Sequence, residues 1–289
     1  INWGIIGLGN IANTFAKDIL LSKTGKLYAV ASNSIEKAKV FSEKYNATHY
    51  YSTYEDLVND ANVDVVYIAT PHSLHFENTM LCFSKRKAVL CEKPMGINRD
   101  QVLKMIEEAK SKNVFLMEGL WTRFIPATEK LLELINEKTI GDIISIQADF
   151  GFKAEVDFES RLYNKDLGGG ALLDIGIYPI YLSLLLLGAP KDIKAMARMT
   201  ETEVDSYCAM LFNYNNNAIA NPECTIEANT PIEAIIYGSK GCIKLQREFF
   251  FTRQLTIEKN GVETVITLDK TGTGYFHEIE DGFTKWVSK

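Results

Sequence analysis

A chain of 289 residues, 46% hydrophobic and 24% charged, has the composition of an ordinary soluble globular protein and enough length for two domains. Its net charge of −6 and its lack of any lysine- or arginine-rich block argue against a nucleic-acid or anionic-membrane partner. The five cysteines are dispersed with no Cys-x-x-Cys pair, so a disulfide framework or zinc site is not expected, and free thiols in the reducing cytoplasm are.

The first strand, residues 3–6, runs into Gly7-Leu8-Gly9-Asn10-Ile11-Ala12, and a helical pattern follows over 11–21. This is a dinucleotide fingerprint in its required context. Gly7 permits the tight turn, Gly9 lets the backbone approach a pyrophosphate, and Ala12 is small enough for the helix to pack on its strand. The helix start, with Asn10 and Ile11, aims unpaired N–H groups and a positive dipole end at phosphate. No secretory signal precedes this strand. The missing initiator methionine and the stop inside a charged helical pattern at Lys289 suggest trimmed ends.

Further strands are expected at 27–31, 63–69, 88–91 and 114–117, with helices at 35–45, 74–83 and 99–110. Such alternation predicts a parallel sheet with helices on both faces, a nucleotide-binding domain over residues 1–120. The second strand ends Ala31-Ser32-Asn33-Ser34, and no acid appears before Glu36. An NAD-preferring domain carries Asp or Glu there, to hold the ribose hydroxyls. Ser32, Asn33 and Lys37, one turn into the next helix, suit a 2′-phosphate instead, so NADP(H) is expected ahead of NAD(H). Thr70-Pro71-His72 and Glu92-Lys93-Pro94 fall beyond the carboxyl ends of strands, where such sheets place ligands. Thr70 and Pro71 border the nicotinamide ribose in this reading, with His72, His75 and Glu92 on the cofactor side. His72 and His75 stand at i, i+3, but no Cys/His/Asp cluster accompanies them and no metal is expected.

Near residue 120 the pattern changes. A helix at 126–137 precedes an alternating strand at 143–151. More strands are expected at 192–200, 206–213, 218–228, 232–237, 241–247 and 253–268, with turns at Asn215-Asn216-Asn217 and Asn260-Gly261. Runs of strands after an α/β segment predict a second, α+β domain over 121–289 that binds substrate and carries oligomer contacts. Residues 180–187 are very apolar but too short to cross a bilayer, and read as a core helix. Trp121 can line the nicotinamide or substrate pocket, and Arg123 can hydrogen-bond substrate oxygens or phosphate. Interdomain packing and a salt bridge account for these two equally well.

Four motifs occur in order: the glycine fingerprint; Cys91-Glu92-Lys93-Pro94; Glu118-Gly-Leu-Trp121-Thr-Arg123-Phe-x-Pro126; and Gly168-Gly-Gly-x-Leu-Leu-Asp174-Ile-Gly-Ile-Tyr178-Pro179. Together they resemble the glucose–fructose oxidoreductase/inositol dehydrogenase (Gfo/Idh/MocA) family, over nearly the whole chain. The Trp-Thr-Arg-Phe segment and Tyr178 are most similar to its dimeric dihydrodiol dehydrogenases and NADP-dependent sugar 1-dehydrogenases. The resemblance implies a Rossmann domain followed by a domain on a large open, mostly antiparallel sheet. It also implies a homodimer or homotetramer formed through that sheet. Arginines that some diol dehydrogenases use for NADP are missing here.

The resemblance gives Lys93 the catalytic role. Oxidising a secondary alcohol needs a proton acceptor and a hydride acceptor, and a nicotinamide provides the second. An ammonium at Lys93 stabilises the developing alkoxide, and Pro94 fixes the presenting turn, with a cis bond as one way to do so. Tyr178 is the expected proton-transfer residue, its phenol made more acidic by a nearby ammonium and an oxidised nicotinamide. Asp174 shares a face with Tyr178 on an unbroken helix, although Pro179 is a candidate helix breaker. Resemblance suggests that Asp174 binds substrate or orients the catalytic group; an acid stabilising a helix start after the glycine run fits as well. The expected activity is NAD(P)-dependent oxidation or reduction at a secondary alcohol or carbonyl of a cyclic sugar, polyol or trans-dihydrodiol. The alternatives are a catalytically silent nucleotide sensor and an NAD-assisted glycoside hydrolase.

Overall fold

The structure is a computed structural model that describes residues 1–284. It divides into two units: Ile1–Phe124 together with the chain from Thr271 onward, and Ile125–Lys270.

The first unit holds β1 (Asn2–Ile6), α1 (Asn10–Ile19), β2 (Lys26–Ala31), α2 (Ile35–Tyr45), β3 (His49–Tyr51), α3 (Tyr54–Asn59), β4 (Val65–Ile68), α4 (His75–Ser84), β5 (Ala88–Glu92), α5 (Arg99–Lys112) and β6 (Leu116–Gly119). The sheet order is β3-β2-β1-β4-β5-β6 with every neighbouring pair parallel. This is the dinucleotide-binding order, in which the strand sequence reverses beside β1. β4 is buried along its whole length, as a parallel strand covered on both faces must be. Ser34 caps α2 by accepting the Lys37 N–H at 3.2 Å, which explains why that helix starts where its sequence predicts. β3 and α3 were not expected; the strand is a three-residue, largely exposed edge with no alternation to betray it.

The end of the described chain belongs to this unit, whereas the sequence assigns residues 121–289 to the second domain. A short helix, Gly274–His277, continues as a π-helical turn, Glu278–Phe283. Tyr275, Ile279 and Phe283, spaced i, i+4, i+8, form one apolar face. That face joins Trp3, Phe15 and Tyr67 in one buried cluster. The buried carboxylate of Asp18 accepts the N–H groups of Thr273 (2.8 Å) and Phe276 (2.9 Å), fixing the segment's start on α1.

The second unit holds α6 (Pro126–Asn136), β7 (Ile143–Gly151), α7 (Ile177–Leu187), β8 (Asp192–Met199), β9 (Asp205–Asn213), β10 (Ile219–Thr225), β11 (Ala234–Gly238), β12 (Gly241–Leu245), β13 (Gln254–Lys259) and β14 (Val262–Thr267). The eight strands lie in the order β14-β13-β12-β11-β7-β10-β9-β8. The pair β7–β10 is parallel and the other pairs are antiparallel. Asn260 and Gly261 have φ of 55° and 73°, and their turn folds the expected 253–268 stretch into the β13–β14 hairpin. α7 packs on β7 and β10, so its apolar sequence serves the core. Residues 165–187 together are long and apolar enough to cross a membrane by composition; half of the most apolar window is buried inside the protein.

Candidate active site

In the first unit, β1 delivers the chain into Gly7, whose φ is +85°. A Cβ here would stand 2.8 Å from backbone atoms of Ala69 and Thr70, so only glycine fits. Gly9 faces open space: a Cβ built on it meets nothing within 4 Å. α1 then starts with no side-chain cap and no acid in its first turn. Its leading N–H groups and positive dipole end therefore suit a pyrophosphate. Asn10 is exposed at this start, Ile11 half-buried, and Ala12 fully buried against the sheet. Asn13 ties the turn down, donating to the Gly9 carbonyl (2.8 Å) and accepting from the Tyr45 hydroxyl (2.8 Å).

Beyond β2, Ser32 is buried while Asn33 and Lys37 are exposed. The first acid, Glu36, accepts a hydrogen bond from the Ser34 hydroxyl at 2.9 Å. Its own backbone N–H and that hydroxyl hold its carboxyl below the usual range. Beyond β4, the buried Thr70 hydroxyl accepts from Asn78 at 3.1 Å. Pro71 is exposed, and the buried His72 opens a short 3-10 turn. His75 directs both ring nitrogens at backbone oxygens: Nδ1 lies 2.8 Å from the Pro94 carbonyl and Nε2 2.9 Å from the Thr70 carbonyl. Burial lowers its pKa, the two carbonyls oppose that, and Lys93 reinforces it. The histidine thus fastens the Thr70 loop to the Lys93–Pro94 turn.

That turn follows β5, and its Lys93–Pro94 bond is cis. Glu118 on β6 braces the far side, accepting the Met95 N–H at 2.7 Å. Burial raises the pKa of Glu118; the Met95 N–H and the Lys93 charge oppose it. Glu92 turns its carboxylate into the unit, where Oε1 accepts from Tyr67 (2.5 Å) and from Tyr275. Trp121 packs edge-on against Tyr275 at 4.8 Å and sits over Gly274, where any Cβ would collide with the indole. The Arg123 guanidinium stands 5.8 Å from the Phe124 ring.

In the second unit, Tyr178 is the second residue of α7, which directly follows a π-helical stretch, Leu172–Gly176. The helix continues through Pro179; the wider π turn before it accommodates the missing donor. The buried Tyr178 ring packs on Phe150 (5.6 Å) and Phe250 (4.7 Å), which stack on each other. Asp174, also buried, receives a bidentate pair from Arg161 at 2.9 and 3.1 Å. Asp205 pins the preceding glycine loop by accepting the Leu172 N–H at 2.7 Å. Among the described residues, no group of three or more His, Cys, Asp or Glu side chains is placed to hold a metal ion.

Comparison with known proteins settles the family. Residues 1–120 match the profile described as an oxidoreductase family with an NAD-binding Rossmann fold, and residues 128–244 match the GFO/IDH/MocA C-terminal domain. The chain belongs to the Gfo/Idh/MocA oxidoreductase family. It is 39% identical to a mouse (Mus musculus) trans-1,2-dihydrobenzene-1,2-diol dehydrogenase over 251 residues, 86% of this chain and 75% of that one. A Xenopus tropicalis protein of the same name is 35% identical over 290 residues, 96% of this chain and 87% of that one. Among solved structures, a 3-ketoreductase from Actinomadura kijaniata in complex with NADP and TDP-benzene superposes with a TM-score of 0.88 at 27% identity, covering 100% of this chain and 90% of its own. An aldose–aldose oxidoreductase from Caulobacter crescentus shares the fold with a TM-score of 0.91 at 24% identity, over 100% and 89% of the two chains. This Gfo/Idh/MocA member is thus a nicotinamide-dependent dehydrogenase acting on CH–OH groups.

Sequence reasoning did not find Arg161, Phe250, Tyr67 or Tyr275. Arg161 lies in a loop and meets Asp174 across 13 positions, which leaves no periodic trace. Tyr67 reads as any aromatic in a buried strand. For Tyr275, the available signal was the 275/279/283 spacing.

Proposed function

We propose that this family member oxidises a ring-borne secondary alcohol of a cyclic sugar, polyol or trans-dihydrodiol with NADP+. The observation that carries the reading is the relatives' shared name, which specifies oxidation of a vicinal ring diol. Gly7, Gly9, Asn10, Ile11 and Ala12 hold the pyrophosphate, and Ser32, Asn33 and Lys37 hold the 2′-phosphate. Thr70, Pro71 and His72 border the nicotinamide ribose, with Trp121 and Arg123 on the cofactor side. When bound, the nicotinamide supplies the hydride acceptor. Lys93 presents its ammonium to the substrate oxygen and stabilises the alkoxide. Tyr178 takes the hydroxyl proton. Asp174, neutralised by Arg161, fixes the helix start that carries Tyr178. The test is anaerobic NADP+ reduction over a panel of cyclic sugars, polyols and trans-dihydrodiols, with NAD+ in parallel. Reduction with at least one member, faster with NADP+, is expected; no reduction with any member would overturn the reading, and faster NAD+ reduction would overturn the cofactor choice.

The partner in this reading is a second copy of the chain. Strand register puts Met196, Leu211, Ile219 and Val265 on one face of the eight-stranded sheet, and all four are exposed. Apolar exposure of this kind marks an association surface. Sedimentation velocity is expected to give a dimer or tetramer, and Met196→Glu a monomer. A monomeric wild-type chain at micromolar concentration would contradict this. All five cysteines are free thiols, in keeping with a cytoplasmic enzyme.

A further inference from the structure

The first unit buries a cluster of ionisable groups that the hydride transfer itself does not use. Tyr67 on β4 and Tyr275 on the returning C-terminal segment both donate to the same carboxylate oxygen, Glu92 Oε1. Their hydroxyl oxygens are 3.1 Å apart. Burial raises the pKa of Glu92, and the two hydroxyls, the Lys93 charge and the Lys93 backbone N–H oppose it by favouring the carboxylate. All three side chains are buried. A buried carboxylate needs a cation as well as hydrogen bonds. Lys93 is the adjacent residue, and its charge acts on Glu92 and on Glu118 across the turn.

The other groups facing Glu92 do not supply that cation. Glu278 is fully buried and, as a carboxyl group, brings no positive charge. Burial and the nearby Glu92 push its pKa up, against a backbone hydrogen bond from Leu120. His75 on α4 lies against the Thr70 and Pro94 carbonyls, and burial, reinforced by Lys93, lowers its pKa and disfavours its charged form. The two tyrosines remain protonated, since burial beside Glu92 raises both pKa values well above 10. Rigid packing holds the clamp: Phe15 stacks on Tyr67 at 3.8 Å and Trp121 packs on Tyr275 at 4.8 Å.

We propose that Glu92, clamped by the Tyr67 and Tyr275 hydroxyls, is a positioning residue that keeps Lys93 charged and oriented. The chain segment at 274–283 thereby completes the electrostatics of the catalytic turn. The significance for turnover rests on Lys93 being the substrate-facing ammonium. A structural lock that merely docks the C-terminal segment would leave the lysine's titration unmoved.

The test is NMR titration of the full chain labelled at lysine side chains, with the Lys93 signal assigned by its loss in Lys93→Met. In the wild-type protein the Lys93 signal gives the reference titration. Glu92→Gln moves its titration down by about one pH unit, a tenfold change in proton affinity. Tyr275→Phe, which leaves the carboxylate in place, gives a smaller shift in the same direction. An unmoved Lys93 titration in Glu92→Gln overturns the proposal. Turnover is read separately. A shifted titration in a protein that oxidises no alcohol would refute the dehydrogenase mechanism and leave Glu92's role standing; an active enzyme with an unmoved titration would refute only the role of Glu92.

Discussion

Replacing Lys93 with methionine lowers the rate of alcohol oxidation about a thousandfold while NADPH still binds. Methionine keeps the length of the side chain and removes the ammonium. Loss of one preorganised group that stabilises an oxyanion costs about 10² to 10³ in rate, or ~3 kcal/mol. The turn itself survives, because its anchors act on the backbone: His75 on the Pro94 carbonyl and Glu118 on the Met95 N–H. Gly7 and the start of α1 are untouched, so the nucleotide site keeps its shape. Steady-state oxidation of the best panel substrate gives the rate, and fluorescence titration with NADPH gives the affinity. A variant within tenfold of wild type, or one that loses NADPH along with activity, would contradict the role assigned to Lys93.

Tyr178→Phe produces the other large loss, about 10² to 10⁴ in kcat, the usual weight of a positioned proton-transfer group. The phenylalanine ring retains the packing on Phe150 and Phe250, so the helix start stays in place. Rate and pH dependence change together: the wild-type profile has a limb set by the phenol, and the variant's residual rate lacks it. Circular dichroism checks that the fold is retained. A kcat near wild type with the same pH profile would assign the proton transfer elsewhere.

The parts of this protein visible in its sequence are those with local signals. α2 is legible at its observed bounds from its helical period, and the structure adds the Ser34 cap that fixes its start. The turn at Gly7 was readable because only glycine tolerates its φ and its contact with Ala69 and Thr70. The Asn260-Gly261 hairpin likewise follows from two residues that accept positive φ. What was hidden depends on contacts between distant parts of the chain. Tyr275 and Glu92 are 183 positions apart, and nothing in Glu-Lys-Pro announces that its glutamate faces inward to two tyrosines. The segment from Thr271 onward looked like a continuation of the second domain because it follows that domain's last strand. Its place is set by three apolar side chains that fill a gap beside Trp3 and Phe15. Arg161 was invisible for the same reason, a loop residue whose partner is chosen by the fold of the glycine run. The family resemblance supplied the roles of Lys93 and Tyr178, which residue spacing alone does not give.

Isotope transfer tests the central chemistry most directly. A panel substrate carrying deuterium on its carbinol carbon is incubated anaerobically with NADP+ and the enzyme, and the reduced nucleotide is examined by NMR. One deuterium at nicotinamide C4 per carbonyl formed, on a single face, is the expected result. Carbonyl product with the deuterium lost to solvent, or no reduced nucleotide from any substrate, would contradict direct hydride transfer beside Lys93 and Tyr178.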